Sequence, residues 1–283
     1  MRKGERSMNR FQRLLRAISS VNLNTLRILL TKGAEPALEY DRYTYRLYSG
    51  YGLPWSWNHA SWRSSLKIPS VSASKLFPEI DFTRSPDLLH AFPRNLGVMP
   101  HELMILAHVI RHFQPQCVVE FGTAEGRTSL NIALHLPRDG SLITLDFPPI
   151  PGQNEVGFFY WDQPVKSKIK QVFSGVETWD STPYRSSADL VFCDACDQPE
   201  GLAAETAQAF TVIKPGGVIF RHDYGTAEGP TLFWNKLSER LPVKHIQDTA
   251  LLCLRVDSDE TYRTMQEMLA APPLRGSLRV KPS

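Results

Sequence analysis

The apolar positions of this chain change their spacing near residue 95. Before that point no period holds for long. Residues 40–62 carry Tyr40, Tyr43, Tyr45, Tyr48, Tyr51, Trp55, Trp57 and Trp62, broken by Gly50, Gly52 and Pro54. Residues 63–100 are rich in serine and proline and read as a connecting loop with short helical turns. Beyond residue 95, short apolar runs alternate with helical stretches. "QCVVEF", "SLITLD", "KQVFSG", "ADLVFCD" and "GGVIFRHD" are predicted strands. "HELMILAHVIRHF", with Leu103, Leu106, Ile110 and Phe113 on one face, is a predicted helix, as are "GRTSLNIALHL" and "PTLFWNKLSERL". So is "EGLAAETAQAFTVI", which Pro215-Gly216-Gly217 is expected to stop. "VKHIQD" and "ALLCLRV" read as two strands joined by a very short turn, and "ETYRTMQEMLA" as a last helix.

Near-continuous apolar strands alternating with helices call for a parallel sheet covered on both faces. The expected fold is therefore α/β: a doubly wound, Rossmann-like, mostly parallel sheet. Two consecutive strands with a tight connection run antiparallel, so one C-terminal strand should oppose the others. The expected division is an N-terminal helical or irregular cap over 1–95 and the Rossmann-like domain over 96–283.

Composition narrows the partners. The chain has 283 residues, is 42% hydrophobic and 22% charged, and carries a net charge of +3 without a long Lys/Arg run. Nothing here suggests nucleic acid. No apolar stretch approaches the roughly 18 residues of a membrane span. The basic N-terminus, with Phe11, Leu14, Leu15 and Ile18 on one helical face, reads as a helix docked on the protein's own surface. Cys117, Cys193, Cys196 and Cys253 do not form a disulfide framework, which places the protein in the reducing cytoplasm. Cys193 and Cys196 lack the second pair that zinc would need and read as packing thiols.

The chemistry begins at "CVVEFGTAEGRTS", residues 117–129. A strand ends at a glycine turn and hands over to a helix. Gly122 and Gly126 have no Cβ, so a ligand can approach the backbone. The following helix presents free N–H groups. Asp146, at the end of the next strand, can accept hydrogen bonds from a ribose. A nucleoside-like ligand follows. The spacing is Glu120-x-Gly122-x-x-x-Gly126 rather than G-x-G-x-x-G, and Ala124 replaces the middle glycine. That weakens a pyrophosphate site. Glu120 suits a cationic group, such as the ammonium of a methionine moiety.

"VVEFGTAEGRTS", "SLITLD", "ADLVFCDA" and "IKPGGVIFRHD" resemble the successive motifs of class I S-adenosylmethionine-dependent methyltransferases, over about residues 95–257. The pattern is most similar to small-molecule O-methyltransferases of the macrocin and catechol type. The resemblance implies S-adenosylmethionine held by Glu120, Gly122, Thr123, Gly126, Thr128, Asp146 and Asp194. It implies a small-molecule hydroxyl acceptor (a sugar, a phenol or a natural-product intermediate), and it is compatible with a homo-oligomer.

A hydroxyl needs a base or a metal to favour its oxyanion. Asp194 ends one strand; His222 and Asp223 end the next. In the metal-dependent relatives, acids at the positions of Asp194 and Asp223 hold Mg2+. Those relatives usually carry a further Asp or Asn where this chain has Tyr224. Without metal, Asp194 or His222 would be the base. Two other classes remain open: an S-adenosylmethionine-binding protein without turnover, and a nicotinamide-dependent oxidoreductase on a similar sheet.

Overall fold

The computed structural model describes residues 66–91, 97–150, 155–271 and 274, all within the unit Ala60–Ser283. The expected N-terminal docking helix and the aromatic stretch 40–62 lie outside the described residues, as does most of the expected cap 1–95.

Among the described residues, eight strands form one sheet: β1 Ser70–Val71, β2 Cys117–Phe121, β3 Ser141–Asp146, β4 Ile169–Phe173, β5 Ala188–Cys193, β6 Ile213–Arg221, β7 Lys244–Ile246 and β8 Leu252–Arg255. Six helices accompany them: α1 Ala73–Leu76, α2 Pro100–Phe113, α3 Arg127–His135, α4 Pro199–Val212, α5 Glu228–Leu237 and α6 Asp259–Leu269. Across the sheet the order is β1-β7-β8-β6-β5-β2-β3-β4. Only β8 is reversed, antiparallel to β6 on one side and β7 on the other. The expected doubly wound sheet with one antiparallel C-terminal strand is the observed fold.

The strands alternate their side chains between two cores. Val119, Phe121, Ile143, Leu145, Val191 and Ile219 pack with Phe210 of α4 and Met265 of α6 on one face. Val118, Leu142, Leu190, Phe192, Val218 and Phe220 pack with Leu103, Leu106 and Ile110 of α2 and Leu130 of α3 on the other. Both faces are covered, which is why these strands show apolar runs rather than alternation.

Three expectations change. The segment expected as a connecting loop contributes an edge strand: β1 pairs in parallel with β7, Ser70 opposite His245. Phe77, just beyond α1, is fully buried. The helix expected to run to Pro215 ends at Val212, and β6 starts at once with Ile213. A register shift between Ala188 and Leu190 lets the Pro215-Gly216-Gly217 stretch lie within the strand. Five residues, 247–251, separate β7 from β8, so the turn is longer than expected.

Candidate active site

The predicted site residues lie at or just beyond strand ends in the centre of the sheet (Glu120, Asp146, Asp194, His222 and Asp223), in the turn that follows β2 (Gly122, Thr123 and Gly126), or in the first turn of α3 (Thr128). Pairing continues one step past the strand ends. Asp194 N–H donates to Phe121 O (2.8 Å), and His222 N–H donates to Cys193 O (3.0 Å). Asp194 and His222 are thereby placed side by side at the C-terminal edge, where ligands bind in open α/β sheets.

The glycine turn is built as expected, but its glycines answer first to the chain's own packing. At Gly122 (φ +95°) a Cβ would sit 2.5 Å from the Asp194 carbonyl oxygen. At Gly126 (φ +83°), ahead of α3, a Cβ would meet the Tyr160 ring at 2.7 Å. Gly122 thus lets two strand ends meet, and Gly126 seats Tyr160.

Asp146 braces the turn. Its Oδ2 accepts from Ala124 N–H and its Oδ1 from Phe147 N–H, both at 2.7 Å. Each oxygen has a second lone pair available for a ribose hydroxyl. Thr123 is buried, with Oγ1 2.7 Å from Thr144 Oγ1 and accepting from Gln171 Nε2 at 3.1 Å. Thr128 is buried in the first turn of α3.

Glu120 is fully buried. Its Oε2 accepts from the hydroxyls of Ser129 and Thr144, while Oε1 has no hydrogen-bond partner among the described residues. Burial pushes its carboxyl up to about 8, against the two hydroxyl hydrogen bonds that lower it. An unpaired carboxylate oxygen beside a glycine turn fits a cationic group. A cation arriving there favours the ionised carboxyl, so binding of S-adenosylhomocysteine near pH 7 should release protons. Calorimetry in buffers of different ionisation enthalpy checks this, and Glu120→Gln should abolish the release.

The second half of the site is a charge cluster. His222 is 1% exposed. Its Nδ1 lies 3.2 Å from Asp194 Oδ1 and 3.2 Å from Asp223 Oδ1, and its Nε2 lies 3.1 Å from Glu102 Oε2. All three partners are acceptors when ionised, an arrangement that suits a ring protonated on both nitrogens. Burial would lower the imidazole, but Asp194, Asp223 and Glu102 outweigh it and hold it well above its ordinary range. Burial raises Asp194 despite His222. For Asp223 burial acts upward too, but His222 prevails and holds the carboxyl well below its usual range. Asp223 has φ +67° and also accepts from Thr226 Oγ1 at 3.0 Å.

Tyr224 is turned away from this cluster. Its hydroxyl donates to Asn235 Oδ1 (2.8 Å) and accepts from Ile68 N–H (3.0 Å). The position that would carry a third oxygen ligand is therefore a packing residue. In its place Nδ1 of His222 faces the two carboxylates, and one donor atom from each of Asp194, His222 and Asp223 lies within 4.8 Å of the others.

Two groups escaped the sequence reading. Glu102, in the first turn of α2, is 1% exposed. It falls in phase with Leu106 and Ile110 on the apolar stripe of α2, and an acid on an apolar stripe is a legible sign of a buried partner. The other is the buried Arg221–Glu205 pair (2.9 Å). Arg221 also donates to Cys196 O (2.6 Å), and Glu205 Oε1 accepts from Ala195 N–H (2.8 Å). Together they hold the loop that follows Asp194. The four cysteines are free, and Cys193-x-x-Cys196 forms no part of a metal cluster among the described residues.

Residues 119–224 match the family described as "Methyltransferase domain". Among solved structures, a putative O-methyltransferase from Klebsiella pneumoniae is similar at 17% identity, with 59% of this chain and 84% of that chain covered and a TM-score of 0.47. The O-methyltransferase TomG from Streptomyces achromogenes, involved in tomaymycin synthesis and solved with SAM, is similar at 20% identity, with 69% and 94% covered and a TM-score of 0.44. No curated protein sequence matches the chain. The family match over residues 119–224 coincides with the central strands β2, β3, β4, β5 and β6 and with the acid-and-glycine turn after β2, so this part of the chain is similar to a methyltransferase domain on a Rossmann-like sheet.

Proposed function

We propose that this protein transfers the methyl group of S-adenosylmethionine to a hydroxyl of a small molecule in the cytoplasm. The observation that carries the reading is the placement of the Asp194–His222–Asp223 cluster beyond β5 and β6, the two strands next to the glycine turn of β2, on the same edge of the sheet. S-adenosylmethionine, when bound, supplies an electrophilic methyl group on a sulfonium. The residues do the rest. Asp146 and the turn after β2 bind and orient the nucleoside end. Three carboxylates around one imidazolium leave an excess of negative charge, which favours a cationic sulfonium nearby. Asp194, raised by burial and with its side chain 19% exposed, is placed to take the hydroxyl proton. The four free cysteines suit a reducing compartment.

The cluster also fits a divalent ion. Asp194, Asp223 and Nδ1 of His222, its proton displaced, would hold it, and the ion would supply Lewis-acid activation of the acceptor oxygen. With Tyr224 turned away, the donors are two carboxylates and one imidazole nitrogen, a set that suits Mn2+ or Zn2+ better than the all-oxygen preference of Mg2+. Turnover is expected to fall with EDTA and to return further with Mn2+ than with Mg2+. Unchanged turnover in EDTA would remove the ion from the mechanism and leave Asp194 as the base.

The overall reading is tested by titrating the protein with S-adenosylhomocysteine and with NAD, then incubating it with methyl-tritiated S-adenosylmethionine and a panel of hydroxylated small molecules. Binding of NAD but not of the adenosyl ligands would overturn it in favour of an oxidoreductase. Adenosyl binding with no labelled product across phenols, sugars and polyketides would favour a binding protein.

A further inference from the structure

Glu102 stands on α2, outside every stretch that the methyltransferase motifs single out, yet its carboxylate ends inside the acidic cluster. Its Oε2 accepts from Met99 N–H (2.7 Å) and faces His222 Nε2 (3.1 Å). Its Oε1 accepts from Ala250 N–H (2.6 Å) in the β7–β8 turn. Ala250 is gripped from the other side as well, because its carbonyl accepts from Tyr224 N–H at 3.0 Å. Glu102, His222, Asp223, Tyr224 and Ala250 therefore form a closed ring of bonds. One carboxylate fixes the ring of His222 directly and the backbone after Asp223 through the turn.

We propose that Glu102 is a positioning residue of the reaction: by accepting the Nε2–H of His222 it aims Nδ1 at Asp194 and Asp223, and by holding Ala250 it fixes the strand end that carries Asp223. The assignment rests on the proposed methyl-transfer reading for its purpose, but not for its geometry. An imidazole with only one nitrogen engaged can turn about its side-chain torsions. With Nε2 tied to a buried carboxylate, the ring has one orientation, and Nδ1 meets both aspartates whether their common partner is the ring N–H or an ion. Carboxylates behind a functional histidine act in this way, and their loss commonly lowers affinity or activity by about 10–100-fold.

A plainer role competes with this one. Glu102 caps the start of α2 through Met99 N–H, a job that a surface acid performs equally well. A capping acid gains nothing by being 1% exposed and by facing His222 and Ala250 as well. The two roles separate experimentally. Glu102→Gln keeps the shape but offers one oxygen to three donors. Met99→Pro removes the capping donor together with the buried Met99 side chain, but leaves the Glu102 carboxylate and its His222 and Ala250 contacts, at a backbone φ of −79° that proline accepts.

The measurement is the ring nitrogen spectrum of His222 in 15N-histidine-labelled protein without metal, with the signal assigned by its loss in His222→Asn. The wild-type protein is expected to show a slowly exchanging Nε2–H. Glu102→Gln is expected to lose that protection, while Met99→Pro keeps it and loses only thermal stability. S-adenosylhomocysteine affinity, measured by calorimetry, should be the same in all three. Retention of the protected signal in Glu102→Gln overturns the proposal. So does its equal loss in Met99→Pro, which would show that the carboxylate acts only through the helix start. Should Glu102→Gln fail to fold, Glu102→Asp serves: it keeps the charge but shortens the reach, and unchanged ring protection there would equally overturn the proposal. Absence of S-adenosylhomocysteine binding in the wild type would defeat the methyl-transfer reading and leave the ring result standing alone.

Discussion

Asparagine at position 194 is expected to lower methyl transfer by about 10²–10⁴-fold, the range associated with loss of a positioned base. S-adenosylhomocysteine affinity should stay within about tenfold, or about 1.4 kcal/mol. The split follows from where the two ends of Asp194 point. Its backbone belongs to the sheet: its N–H pairs with Phe121 O, and its carbonyl lies against Gly122. Its carboxylate belongs to the cluster with His222 and Asp223. Asparagine keeps the backbone, and with it the cofactor turn, while removing the proton acceptor and the ligand charge. Initial rates with labelled S-adenosylmethionine, set beside calorimetry with S-adenosylhomocysteine, give both numbers. A rate within threefold of wild type would show that Asp194 neither takes the proton nor holds an ion. An affinity loss matching the rate loss would make it a cofactor ligand alone.

Gly122→Ala is expected to damage the site as a whole. A methyl group 2.5 Å from the Asp194 carbonyl oxygen has no room, and the residue sits at φ +95°, which L side chains rarely adopt. Overpacking and backbone strain each cost about 1–3 kcal/mol, so a combined loss of about 2–6 kcal/mol is expected. For a domain of this size that lowers the melting temperature by roughly 4–24 °C. Because the neighbour is backbone, the strain falls on the end of β5 and moves Asp194. Cofactor binding and turnover should therefore fall together, unlike the pattern for Asp194→Asn. Differential scanning calorimetry and the same binding assay test this, and a melting temperature unchanged from wild type would show that the strand ends separate freely.

Much of this architecture was legible because it is written locally. "CVVEF", "SLITLD" and "ADLVFC" are apolar on both faces because two layers of helix cover them, and such runs have few other uses in a soluble chain. The reversed strand was legible because too few residues separate β7 from β8 for a crossover. Asp194, His222 and Asp223 could be singled out because strand ends in this fold are where ligands sit. What escaped depends on contacts distant in sequence. Two residues, Ser70–Val71, are too short to show a period, and only β7 makes them a strand. Tyr224 could be seen as a departure from the ligand pattern, but not that its hydroxyl is spent on Asn235 and Ile68. Glu102 was masked by its ordinary place in a first helical turn, since its partners lie on β6 and in the β7–β8 turn.

The reversed last strand also sets when this protein becomes competent during its synthesis. β8 lies between β6 and β7, so neither β7 nor β1 has a place in the sheet until Leu252–Arg255 has left the ribosome. Until then β6, which carries His222 at its tip, is an edge strand with unpaired backbone groups, the kind of surface that invites pairing with another chain. Glu102 likewise waits, because Ala250 is among the last residues of the sheet to be made. The nascent chain can assemble its glycine turn early, from β2 and β3, but its acidic cluster reaches final form only once β8 has been made. Release before residue 252 would leave a fragment with an open apolar edge and an unbraced histidine, a product suited to degradation rather than partial function.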